Sequence, residues 1–184
     1  GEGLVHLNDP NPQPATKYPF GFPLLLAPVE LLFPGEWTPM KAWVLLLFSV
    51  GMAMLYLLMR DRMGVLPSIA VVGLSVTAGQ SYLTTDASGH HFGPLLLHFS
   101  HQVMSEAPFL TVSLAALWLL HRGVQREGIR GNRELLAGFV LAVFAYYIRS
   151  VGITLLGAVI IYLFLQRDIR RGLIFSAASL LAWL

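Results

Sequence analysis

Cysteine is absent from this chain of 184 residues, which removes disulfides, thiolate catalysis and cysteine-bound metals and leaves the redox compartment open. Charge is scarce as well. Asp, Glu, Lys and Arg supply 12% of the residues, against about 25% in an ordinary soluble domain. The apolar runs leave no room for the basic face that a nucleic-acid binder needs, so no nucleic-acid partner is expected. No Gly-rich phosphate loop of the P-loop or Rossmann kind is present, since Gly1-Glu2-Gly3 has no strand and helix around it. Ser100, Ser105 and Ser150 lack a nucleophile elbow. Soluble nucleotide chemistry and a membrane serine hydrolase are thereby left without support. There is no charged stretch and apolar run ahead of a small-residue cleavage site, so no secretory signal is visible. Without an internal repeat or a low-complexity linker, one domain over 1–184 is expected.

What the chain does have is apolar surface: 55% of its residues are hydrophobic and its mean hydropathy is +0.65. A membrane core about 30 Å thick takes roughly 20 apolar residues in a helix. Runs approaching that length lie at about Met40 to Met59, Val65 to Gly79, Ala107 to Leu120, Leu135 to Ile148 and Val151 to Leu165, and a sixth begins at Gly172. The fold expected is an all-α polytopic membrane bundle of about five complete spans and a truncated sixth. Residues 1–39 form an external segment ahead of the bundle at 40–184. Because the chain opens at Gly1 without a methionine and ends inside "GLIFSAASLLAWL", a fragment of a longer protein is expected, with a further helix ahead of Gly1.

Basic residues orient such a bundle, because cytoplasmic loops are enriched in them. Nine of the twelve Lys and Arg residues fall in three clusters, Arg60 with Arg62, Arg122 through Arg133, and Arg167 through Arg171. Alternating helices put all three on one side, taken as the inside. The other side receives Lys17, Lys41 and Arg149, together with the polar link around Gln80 to His91 and the turn at Arg149-Ser150. The proline-rich "TKYPFGFPLLLAPVELLFPG", Thr16 to Gly35, then lies outside; its prolines disfavour a regular spanning helix and favour a short, kinked interfacial element. "GPLLLHFSHQVM", Gly93 to Met104, is too short to span and fits either a re-entrant helix or an extension of the second run.

Ionisable groups near the apolar runs are the candidate functional residues, since one at mid-bilayer costs at least about 2.5–3.5 kcal/mol. Arg149 lies sixteen residues beyond Arg133, and Glu106 sixteen before Arg122, each about 24 Å along a helix. Both reach one level near the outer boundary, where Lys17 also belongs, so the three can share an outward cavity. Anchoring by Arg149 and helix capping by Glu106, in the helix start Ser105-Glu106-Ala107-Pro108, account for the same residues. His98 and His101 stand at i, i+3 with His90-His91 upstream. They lack the H-E-x-x-H spacing of a helical zinc pair, so interfacial histidines without a ligand fit better.

Three stretches, in order, resemble the multi-spanning glycosyltransferases of the type C fold, especially the dolichyl-phosphate-mannose-protein mannosyltransferase-like group. "FSHQVMSEAPFLTVSLAALWLLHR" carries an S-x-x-x-x-S-[DE]-x-P pattern that leads into a helix ending in basic residues. "ATKYPFGFPLLLAPVELLFPG" is similar to the family's proline-rich segment, and "LLAGFVLAVFAYYIRSVGITLL" to a helix pair joined at R-x-x-G. The polar insertion "GQSYLTTDASGHHF", Gly79 to Phe92, is longer than the family's usual link. The resemblance implies transfer of a sugar from a polyprenyl-phosphate carrier to an acceptor outside the membrane, in a bacterial or archaeal plasma membrane. It implies carrier-phosphate contacts for Lys17 and Arg149 and a place beside the acceptor, or a shared divalent metal ion, for Glu106. The family's acidic base would precede Gly1. A transporter or permease fragment and a non-catalytic membrane scaffold are the competing classes; a transporter would favour inverted repeats, and none is seen.

Overall fold

A computed structural model describes residues 19–77, 103–126, 128–166 and 168–183. Among these, every regular element is helical: α1 (Gly21–Leu32), α2 (Trp37–Met63), α3 (Val65–Thr77), α4 (Glu106–Gln125), α5 (Gly128–Ile148), α6 (Gly152–Leu165) and α7 (Ile169–Trp183). Each apolar run of the sequence corresponds to a helix, but the lengths differ. Of these helices only α2 and α4 are long and apolar enough to cross a membrane by length and composition, so the all-helical fold is as expected and two of the five complete spans meet that measure. The others fall short for separate reasons. α3 and α6 have 13 and 14 residues, about 20 Å of rise, and α5 spends its first two turns on Arg130, Arg133 and Glu134.

The proline-rich segment contains a helix. α1 accepts Pro23 in its first turn, where no intrahelical donor is needed, and carries Pro28 in its interior, where the missing N–H withdraws a bond from the carbonyl four residues back. It is tied down from both sides. The Trp43 indole N–H donates to the Leu25 carbonyl at 3.0 Å, and Gly21 meets the end of α5 so closely that a Cβ there would sit 2.5 Å from the Tyr147 carbonyl oxygen. Gly35 takes φ +73° and its N–H donates to Glu30 at 3.1 Å, which turns the chain into α2.

α2 runs past the expected Met59 and stops at Gly64, whose φ of +81° suits a residue without a Cβ. α3 begins at the next residue. On its inner face α2 buries Val44, Phe48 and Met52 against Ala107 of α4. Gly51 lets α4 approach, with the Thr111 hydroxyl donating to the Leu47 carbonyl at 2.6 Å and sharing its proton with Ala107 at 3.0 Å.

The tightest helix pair is α4 with α5, which pack through small residues. Ala116, Ala142 and Ala145 are fully covered, and Gly123, Gly131 and Gly138 sit where the helices cross. A side chain at Gly138 would place its Cβ 2.7 Å from Leu120 Cγ and 2.9 Å from the Leu120 nitrogen. In a membrane the hydrophobic effect does not drive helices together, and small residues of this kind permit the close van der Waals contact that does. Leu120 and Leu135 continue the contact into a cluster with Val159, Leu163 and Phe175 of α6 and α7.

Much of the apolar surface is left uncovered. Leu31, Leu66, Ile129, Leu165 and Leu181 are all at least 73% exposed, and only 28% and 39% of the apolar windows of α2 and α4 are buried within the chain. Surface of this extent needs a lipid or protein cover.

Replacing Gly138 with valine is expected to destabilise the protein by about 1–3 kcal/mol, the usual cost of forcing volume into a close-packed contact. Gly157→Ala in α6, where an added Cβ meets nothing within 4 Å, is expected to be neutral or to stabilise by up to about 1 kcal/mol. Thermal unfolding of the two variants in detergent measures the contrast.

Candidate functional site

The antiparallel α4–α5 pair determines what meets at its two ends. Asn132, near the start of α5, accepts from Arg171 at 3.0 Å, while Arg122 and Arg126, from the end of α4, line a pocket with Arg60 and Asp61 from the end of α2. Members of all three arginine clusters therefore gather at one end of the bundle. Glu134 receives Arg126 Nη1 at 2.5 Å, with Arg122 Nε 3.9 Å away, and the Arg122 guanidinium lies 4.5 Å from the centre of the Trp118 ring.

At the opposite end the first turn of α4 faces the last residues of α5. The Arg149 side chain donates through Nη1 to the carboxylate of Glu106 and, at 3.2 Å, to the hydroxyl of Ser105. The turn that carries Arg149 depends on glycine. Arg149 N–H closes the last turn of α5 onto Ala145 at 3.0 Å, and Gly152 N–H returns to the Arg149 carbonyl at 2.8 Å. A Cβ on Gly152 would lie 2.6 Å from Tyr146 Cα, so this reversal takes no larger residue. R-x-x-G thus holds a guanidinium at the tip of a helical hairpin.

Ser105 stands at the N-terminus of α4 without capping it through its side chain; its hydroxyl is turned to Arg149 instead. Glu106 lies in the first helical turn, where the helix dipole favours a negative charge. Arg149 is directed at a carboxylate, so the guanidinium at this helix end is ion-paired.

The pair lines a cleft of about 510 Å³ with Ser105, Met104, Ile148 and Ser150 from the two helix ends and Pro19 and Phe22 from the proline-rich segment. Phe20, beside it, stacks on Tyr147 with ring centres 4.7 Å apart. Of the residues singled out in the sequence, Glu106 and Arg149 meet in this cleft. Lys17, His90, His91, His98 and His101 lie outside the described residues, as does the whole insertion from Gly79 to Phe92. Ser105 is not among the phosphate or acceptor contacts that the resemblance implies. Its adjacency to Glu106 is visible in the sequence, but its choice of partner depends on where α5 ends.

A divalent ion does not fit the described part of the site. No group of three or more His, Asp or Glu side chains is found among the described residues, and the one carboxylate among the described residues of the cleft already faces a guanidinium.

Each partner of the Arg149–Glu106 pair has a side chain 36% exposed, so solvent weakens the attraction and the pair contributes about 0.5–1 kcal/mol. A double-mutant cycle with Glu106→Gln and Arg149→Gln, read by thermal unfolding, is expected to return a coupling energy of that size. A coupling indistinguishable from zero would remove the pair as an organising contact of the cleft.

Comparison with protein-family models, with curated proteins and with solved structures finds no match to this chain.

Proposed function

We propose that the chain is the membrane portion of a glycosyltransferase that takes a sugar from a polyprenyl-phosphate carrier and passes it to an acceptor at the outer face of the membrane. One observation carries this reading. The three stretches whose motifs resemble the type C family, widely separated in sequence, all contribute to one cleft: Pro19 and Phe22 from the first, Ser105 and Glu106 from the second, Ile148, Arg149 and Ser150 from the third. In this reading α3, α5, α6 and α7 also lie in the membrane beside α2 and α4, their polar ends counted in, giving about five spans and part of a sixth. The arginine-rich end faces the cytoplasm, in keeping with the enrichment of these residues in cytoplasmic loops, and the cleft faces outward.

The chemistry asked of the cleft is set by the leaving group. As the glycosidic bond breaks, negative charge grows on the carrier phosphate, and a fixed cation that binds this charge more strongly in the transition state than in the ground state accelerates the step. A guanidinium has five N–H donors. Arg149 directs Nη1 at Glu106 and Ser105; no described residue accepts from Nε or Nη2, and these donors are assigned to a phosphate oxygen. Glu106 fixes the guanidinium plane in this role and stands beside the acceptor. Because its carboxylate is engaged, deprotonation of the acceptor hydroxyl falls to a separate acidic base, which the resemblance places ahead of Gly1. Lys17, two residues before Pro19, is the second phosphate contact. The sugar and the acceptor are set by groups beyond this cleft.

A sugar-transfer assay with a polyprenyl-phosphate-linked donor, run on the full-length protein, tests the reading. Arg149→Ala and Lys17→Ala are each expected to reduce turnover at least tenfold, equivalent to about 1.4 kcal/mol of lost transition-state stabilisation. Wild-type turnover in both variants would dismiss the phosphate site.

A further inference from the structure

A second cavity lies at the other end of the bundle, between α2, α4 and α6, with a volume of about 370 Å³. Its walls are apolar, formed by Leu58, Leu114, Leu117, Val159 and Leu163. Its mouth is different. Arg62 from the end of α2, His121 from the last turns of α4 and Tyr162 from the last turn of α6 line the same cavity. We propose that this groove holds an acyl chain of an anionic membrane phospholipid, with the headgroup phosphate on Arg62.

The charges at the mouth are available for that purpose. Asp61, the neighbouring carboxylate, lies 3.6 Å from Arg60, and Arg62 makes no ion pair or hydrogen bond with any described residue. The phenol of Tyr162 is likewise unpartnered among the described residues. The His121 ring shares one nitrogen with Gln125 at 3.0 Å, and its other nitrogen, without a partner among the described residues, is placed to meet a phosphate oxygen. A guanidinium at the rim of an apolar slot matches a ligand with one anionic end and one hydrocarbon end, and a polybasic membrane-proximal surface attracts anionic lipid. Arg60, Arg122 and Arg126 line a separate pocket at the same end of the bundle.

The shape of the slot suits a lipid tail. The slot runs along the helix axes: its α2 wall extends from Leu55 to Arg62, about 10 Å of rise, in the direction an acyl chain takes below its headgroup. The proposal rests on the membrane location of the chain and not on sugar transfer, so either can fail without the other.

The test uses the full chain, delipidated in mild detergent, incubated with phosphatidylglycerol or phosphatidylcholine, and assayed for retained lipid by mass spectrometry. Wild-type protein is expected to keep at least about fivefold more phosphatidylglycerol than phosphatidylcholine, the order of gain that one basic residue near an anionic surface provides. Arg62→Gln, a change at an exposed position, is expected to abolish that preference. Ala158→Phe, at an exposed position lining the groove, is expected to lower retention of both lipids together. Thermal unfolding checks that each variant is folded; if Ala158→Phe is not, Arg62→Gln decides alone. Equal retention of the two lipids by the wild type, or an unchanged preference in Arg62→Gln, would overturn the proposal, as would crosslinking of the groove to another helix of the protein.

Discussion

The close approach of α4 and α5 is the constraint on which the rest of the molecule depends. Glycine and alanine at the crossing bring the two backbones together over their whole length, and the antiparallel arrangement then decides what faces what. Glu106 at the start of α4 meets Arg149 at the end of α5, and Arg126 after α4 meets Glu134 near the start of α5. Ion pairing thus closes both ends of the hairpin. Neither pair is strong, because both are partly exposed and solvent-accessible pairs give little net stability. Their value is positional. The steric fit between the helices sets the distance, and the charges occupy the two places where that fit leaves the chain ends side by side.

Around this pair the structure separates two chemistries. One end concentrates arginine, with Trp118 under the Arg122 guanidinium and the Glu134 carboxylate between Arg122 and Arg126. Among the described residues the opposite end holds a single ion pair in a cleft whose remaining walls are apolar or bear serine. Between them lie helices with extensive exposed hydrocarbon. Such a distribution is stable only where the middle of the molecule is removed from water, since covering that surface contributes about 25 cal/mol for each Å². Polar contacts within the middle are correspondingly few and local among the described residues: Thr111 bonds across to α2, and Ser49, Ser75 and Ser176 return their hydroxyls to carbonyls one turn back.

Most helix positions were legible in the sequence because long apolar runs bounded by arginine and glycine have few alternatives in a chain so poor in charge. Their ends were less legible. α2 extends past Met59 through Arg60 and Arg62 because charged residues at a helix terminus need no burial, and α5 starts at Gly128, ahead of its apolar run, for the same reason. The prolines marked 16–35 as a short element and not a spanning helix, but the helical form of α1 was not legible from Pro23 and Pro28; contacts from Trp43 and Tyr147 hold it in place. Within the candidate site, counting residues from the arginine clusters placed Glu106 and Arg149 at one level. It could not show that they touch, since that depends on the rotation of α4 against α5 at Gly138 and Gly123. Ser105 was read as part of a helix start, and its bond to Arg149 was not legible because the two lie 44 positions apart.

The reversal at Gly152 also fixes the phase of α6. Each residue added to a helix rotates all later positions by about 100°, so an insertion between Arg149 and Gly152 would leave the guanidinium attached to α5 while rotating Leu156, Val159 and Leu163 away from their packing partners. α6 begins beside the cleft and ends at the apolar groove, where it contributes Tyr162. Ser150 and Tyr162 are twelve residues apart, about 18 Å along the axis. The same three-residue turn that presents Arg149 therefore sets the angular register of a groove wall at the far end of the molecule.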